Sequence, residues 1–97
     1  MIDLPSAEIE RLSRNWKVRE LALFGSVLRP DFSESSDIDI LVEFEPDAEW
    51  SLWDLGRMKS ELEEILGRRV DLVEKSALRN PYRRRNILET ARVVYAA

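Results

Sequence analysis

Residues 21–26 read Leu-Ala-Leu-Phe-Gly-Ser, and after ten more residues 37–44 read Asp-Ile-Asp-Ile-Leu-Val-Glu-Phe. The second stretch has the alternation of a strand. Ile38, Ile40, Val42 and Phe44 fall on one face, and Asp37, Asp39, Leu41 and Glu43 on the other. The first stretch closes a strand over residues 18–24, which Gly25 breaks. Residues 26–36 are rich in Ser, Asp, Glu and Pro and read as loop, with one helical turn available from Ser26 to Arg29 before Pro30.

On the amino-terminal side, Ser6 is a candidate N-cap, and Ile9, Leu12 and Trp16 follow at helical spacing, which predicts a helix over 6–16. On the carboxyl-terminal side, Ser51 and Asp54 form a capping box with Asp in place of Glu. Leu52, Leu55, Met58, Leu62, Ile65 and Leu66 carry the stripe of a long helix over 52–66, closed by Gly67. Residues 70–73 (VDLV) read as a short strand. Asn80-Pro81 opens a helix over about 81–90, and residues 92–95 are either a last strand or the end of that helix. This order predicts a small α/β domain spanning residues 1–97, with one mixed sheet and helices packed mainly on one face.

Ninety-seven residues suffice for one core. The absence of cysteine and histidine excludes thiolate and imidazole metal sites, cysteine nucleophiles and the Ser-His-Asp triad. Chemistry has to run on carboxylates, hydroxyls, basic side chains and backbone amides. A net charge of −4 argues against stable direct binding of nucleic acid through bulk charge. No apolar run is long enough to span a membrane. The first residues lack the basic-then-apolar pattern of a signal peptide, so the expected compartment is the cytoplasm.

The candidate site lies where Gly25-Ser26 meets Asp37-Ile38-Asp39. Two carboxylates at i and i+2 on a strand share a face, roughly 6–7 Å apart. Like charges so close repel unless a cation lies between them, and a hard divalent ion such as Mg²⁺, beside phosphates, suits oxygen ligands. Glycine lets the backbone approach a ligand closely, and a following helical turn aims free amides at an anion. Asp71, in the middle of VDLV, is placed on the same face as Asp37 and Asp39, where a third carboxylate suits a two-metal site. Taken singly, each feature has a plain reading: a polar sheet face for Asp-x-Asp, a turn for Gly-Ser. Their order is what carries weight.

LALFGS…SDIDILVEF resembles the nucleotidyltransferase superfamily related to DNA polymerase beta, whose signature is Gly-Ser, ten residues, Asp-x-Asp. The short length and the VDLV strand are similar to its minimal nucleotidyltransferases, the MNT group, from about Val18 to Tyr95. The resemblance implies a polymerase beta-like fold. It implies that Gly25 and Ser26 contact the nucleotide phosphates, and that Asp37, Asp39 and Asp71 are the catalytic, metal-binding carboxylates. Mg²⁺ is the implied cofactor, with Mn²⁺ able to replace it, and ATP the implied substrate. MNT proteins are often antitoxins paired with a HEPN-domain toxin, and some transfer AMP to a tyrosine of that toxin. The family commonly continues Gly-Ser-x-Ala-Arg-Gly, whereas here Gly25-Ser26 continues Val27-Leu28-Arg29-Pro30.

The expectation is therefore an Mg²⁺-dependent antitoxin enzyme that moves AMP from ATP to a hydroxyl, a tyrosine by the resemblance, of a partner HEPN toxin. The alternatives are a catalytically silent module that masks its toxin by contact, and, less favoured, nucleotidyl transfer to a small molecule, for which the chain has no second domain. Homo-oligomerisation is left open. Arg83-Arg84-Arg85, with Arg79 and Tyr82, read first as a solvated helix face and second as a contact for an acidic partner or RNA. Trp16 reads as core. Of Trp50 and Trp53, one is expected in the core and the other is free to anchor an interface.

Overall fold

The computed structural model describes residues 4–30 and 36–97. Its elements are helix α1 (Ser6–Asn15), strand β1 (Val18–Phe24), a 3₁₀ turn (Gly25–Leu28), strand β2 (Ile38–Phe44), helix α2 (Leu52–Leu66), strand β3 (Val70–Glu74), a second 3₁₀ turn (Lys75–Ala77), helix α3 (Pro81–Thr90) and strand β4 (Arg92–Ala96). The four strands form one mixed sheet in the order β3-β2-β1-β4. β1 runs antiparallel to both β2 and β4, and β2 and β3 are parallel, with α2 as their crossover. Most of the loop between the first 3₁₀ turn and β2 lies outside the described residues.

The main core lies between the sheet and helices α1 and α2. Ile38, Ile40 and Val42 of β2 meet Leu21 and Leu23 of β1, Ile9 and Leu12 of α1, and Met58 and Leu62 of α2. α2 is closed at both ends as its sequence requires. The Ser51 hydroxyl and the Asp54 carboxylate cap it reciprocally, and Gly67 takes the left-handed conformation (φ 66°). α1 departs from expectation at both ends. It starts at Ser6 without a side-chain cap, because Pro5 occupies the capping position. It stops one residue early, where Lys17 turns left-handed (φ 53°) without a glycine to signal the turn. Trp16 and Trp50 meet edge-on, 4.9 Å between ring centroids, and the Trp50 indole donates to the Trp16 carbonyl (2.9 Å). Trp53 is 86% exposed.

A second, smaller core covers part of the opposite face. Ala22, Phe24 and Leu41 meet Leu78 and Ile87 of α3 there. Two of the three helices thus share one face, and α3 lies on the other. Leu41, the one apolar residue on the carboxylate face of β2, is buried for this reason. Residues 92–96 are a strand rather than a helix end. β4 covers the outer edge of β1, with Leu21 opposite Tyr95 and Leu23 opposite Arg92. Among the described residues no helix is long and apolar enough to cross a membrane.

Candidate active site

The register of the sheet builds the site. Phe24, the last residue of β1, lies opposite Asp39 of β2, and Asp39 lies opposite Asp71 of β3. Paired residues on neighbouring strands point to the same face, so Asp39 and Asp71 stand side by side on the face that also carries α3. β2 begins at Ile38, so Asp37 precedes the strand. The Ile38 amide donates to the Arg69 carbonyl (2.9 Å), which fixes the starts of β2 and β3 against each other.

Gly25 follows Phe24 with φ 72°, a conformation that favours glycine. Its α-carbon faces the Asp39 carboxyl directly. A Cβ there would collide with Asp39 Oδ2 and lie 3.3 Å from Asp39 Cγ. The turn also brings the Ser26 amide to the Asp39 carboxylate, which accepts a hydrogen bond from it. The Ser26 hydroxyl donates a long bond to the Asp37 carbonyl (3.4 Å). The Gly-Ser pair and the Asp-x-Asp motif are therefore one unit, in which the bare α-carbon makes room for the carboxylate and the next amide holds it.

Burial pushes the Asp39 carboxyl above the usual aspartate value. The Ser26 amide opposes that shift, the negative charges of Asp71 and Asp37 add to it, and the positive charge of Arg83 opposes it. Asp37 reaches Arg69 Nε from Oδ1 at 3.4 Å, with both side chains well exposed. Asp71 is exposed on the edge strand, so its position in VDLV carries no burial cost. All three carboxylates reach one end of the site, yet among the described residues no set of three is gathered tightly enough to hold a metal ion. Asp37 instead pairs with Arg69 at the edge of the site.

The turn after Gly25-Ser26 follows from its proline. Arg29 leaves the turn in extended backbone (φ −91°, ψ 148°), the region to which a following proline restricts its neighbour. The sequence reading did not single out Arg83 from its basic cluster. Its signal was the spacing to Ile87, four residues on and the one buried residue of α3.

Residues 8–94 match the family model of the nucleotidyltransferase domain. The chain belongs to the nucleotidyltransferase family. Protein adenylyltransferase MntA of Thermococcus cleftensis is 43% identical over 75 residues, which cover 77% of this chain and 74% of that protein. In structure, the nucleotidyltransferase is similar to a chain of a toxin–antitoxin crystallised with AMP-PNP, with a TM-score of 0.76, 22% identity and coverage of 97% of this chain and 75% of that one. It is also similar to a chain of a tri-AMPylated Shewanella oneidensis HEPN toxin in complex with an MNT antitoxin, with a TM-score of 0.66, 21% identity and coverage of 95% and 70%. At these identities the two likenesses establish the fold.

Proposed function

We propose that this nucleotidyltransferase transfers AMP from ATP to a tyrosine hydroxyl of a partner HEPN toxin and so acts as its antitoxin. The observation that carries the reading is the packing of Asp39 against Gly25, with the Ser26 amide on its carboxylate and Asp71 beside it. The relative named a protein adenylyltransferase and the two toxin–antitoxin structures support a HEPN protein as acceptor and AMP as the group transferred, and the tyrosine follows from the family resemblance.

The donor set suits Mg²⁺. It is made of carboxylate oxygens, and the field of Asp37 and Asp71 on Asp39 is that of a site short of positive charge. Mg²⁺ is usually held by one or two carboxylates together with substrate phosphates, so the neighbouring pair Asp39 and Asp71 suffices without a closed cage of three. Asp39, Asp37 and Asp71 are the residues that would hold it. Bound there, the ion would neutralise charge on the phosphate chain and favour the ionised acceptor hydroxyl.

The remaining work falls to the chain itself. Gly25 seats the Asp39 carboxylate beside the turn that would meet the phosphate chain. Ser26 offers its hydroxyl, which among the described residues makes one long bond, to the Asp37 carbonyl. The exposed Asp71 stands where an acceptor hydroxyl on another protein can approach and give up its proton. Rate enhancement rests on positioning and electrostatics.

The test is to incubate the purified chain with a HEPN toxin, Mg²⁺ and ATP, and to read the toxin by intact mass. One or more AMP additions, lost with Asp39→Asn, are expected. Neutralisation of the toxin without ATP, and unchanged by Asp39→Asn, would overturn the enzymatic reading in favour of masking by contact.

A further inference from the structure

The three arginines that open α3 differ in what they touch. Arg84 donates from Nη1 to the Lys75 carbonyl (3.2 Å). Arg85 pairs through Nε with Glu89, one turn along the helix (3.0 Å). Arg83 has no side-chain hydrogen bond and no ion pair within 4.0 Å among the described residues.

Its place in the fold gives it a different role. Ile87 anchors α3 against Ala22, Phe24 and Leu41. Residues four apart lie on one stripe of a helix, so Arg83 stands one turn nearer the amino end on the sheet-facing side. The row beneath runs from Phe24 through Asp39 to Asp71. The positive charge of Arg83 acts on the Asp39 carboxyl in the sense that favours ionisation.

Of the other arginines near the row, Arg69 is paired with Asp37 at the edge of the site, and Arg29 follows the Gly-Ser turn in extended backbone ahead of Pro30. The free amides at the start of α3 are also used, because Asn80 Oδ1 accepts from the Tyr82 and Arg83 amides (3.0 and 3.2 Å). An anion brought to this end of α3 must be met by a side chain.

We propose that Arg83 is a nucleotide-binding residue, whose guanidinium holds the phosphate chain of ATP on the Asp39–Asp71 row from the α3 side. The inference rests on ATP as the substrate of this site. A guanidinium suits the task because it is always charged and its planar fork matches two phosphate oxygens at once. It offsets the repulsion that the carboxylates impose on a triphosphate. It also gives the solvated basic cluster one member with a defined task.

The test is calorimetric titration of MgATP into the purified chain and its variants. Arg83→Gln is expected to weaken binding by about tenfold or more, the effect of losing a hydrogen bond to a charged group. Arg83→Lys should recover part of the loss. Arg85→Gln, which removes the same charge from the same helix, should change affinity by less than about threefold, as expected for a screened surface charge. The side chain of Arg83 is exposed, so its melting temperature should match the wild type. Equal losses in the Arg83→Gln and Arg85→Gln variants would overturn the proposal in favour of bulk charge. Unchanged affinity in Arg83→Gln, with binding abolished by Asp39→Asn, would overturn it and leave the ATP site standing. Unchanged affinity in both variants would overturn the ATP site itself.

Discussion

The carboxyl group of Asp39 lies against the bare α-carbon of Gly25, with no room for a side chain between them. The contact joins two motifs that are separated in sequence by the loop after the Gly-Ser turn. Gly25→Ala therefore meets two costs. The left-handed backbone alone costs about 1–2 kcal/mol for a residue with a Cβ, and the collision with Asp39 adds to it. Urea denaturation should show a loss of at least that size, and MgATP titration should show loss of binding. A variant of unchanged stability would mean that the turn relaxes away from Asp39.

Asp39 also sets a pH dependence. Its folded-state value lies above the ordinary one, chiefly through burial. For an acid shifted upwards, the folded state is favoured while the group is protonated, and that advantage is lost as pH rises through the folded value. Asp39→Asn should raise the melting temperature of the ligand-free protein at pH 7. The gain should vanish near pH 3, where the wild-type carboxyl is itself protonated (the ordinary value is about 3.9). Differential scanning fluorimetry at the two pH values checks it. A variant less stable at pH 7 would show that the Ser26 hydrogen bond outweighs burial.

The nucleotide should distinguish Ser26 from Arg29. Ser26→Ala should weaken MgATP binding by about 0.5–1.5 kcal/mol, the worth of an ordinary hydrogen bond, and by up to ~3 if the oxygen it meets is charged. Arg29→Ala should cost less, because the residue before Pro30 is held extended. The reverse order in a titration would place the Arg29 guanidinium on the phosphates.

Ser13 tests the main core. It is fully buried in α1, and its hydroxyl has no hydrogen-bond partner among the described residues. Leaving such a group unpaired costs about 1–3 kcal/mol, and alanine is the better helix former. Ser13→Ala should stabilise the protein by about 1 kcal/mol in urea denaturation, with MgATP affinity unchanged. A destabilised variant would reveal a partner for the hydroxyl.

Asn80 tests how α3 is held. Its side chain caps the helix through the Tyr82 and Arg83 amides. Asn80→Ala should cost about 0.5–2 kcal/mol of stability. It should also lower MgATP affinity, because the first turn of α3 carries Arg83. Unchanged affinity beside lowered stability would separate the cap from the site.

Much of this arrangement could be read from local chemistry. The alternation of β2, the Ser51–Asp54 capping box, Gly67, and the Asn80-Pro81 start of α3 each name a structure through their own residues, and each is present. The adjacency of Asp39 and Asp71 was legible too, because both alternate with core residues on strands that a helix connects. The placement of α3 was not. One buried residue, Ile87, in a helix whose other side chains stay at the surface gives almost no stripe to read. The clue lay elsewhere, in Leu41 and in the unbroken apolar run of β1, which mark a sheet covered on both faces. Lys17 was hidden for a simpler reason: its left-handed turn carries no glycine or asparagine to announce it. Whether residues 92–96 form a strand depends on pairing with β1, a partner some seventy positions away.

The parallel pairing of β2 with β3 has a consequence for how the protein matures. Asp39 and Asp71 are neighbours only after α2 has formed and docked between them in the chain. No fragment ending before β3 can present both carboxylates, so a chain stalled or cut there carries half a site. Nucleotide that binds the completed site then favours the finished fold by mass action.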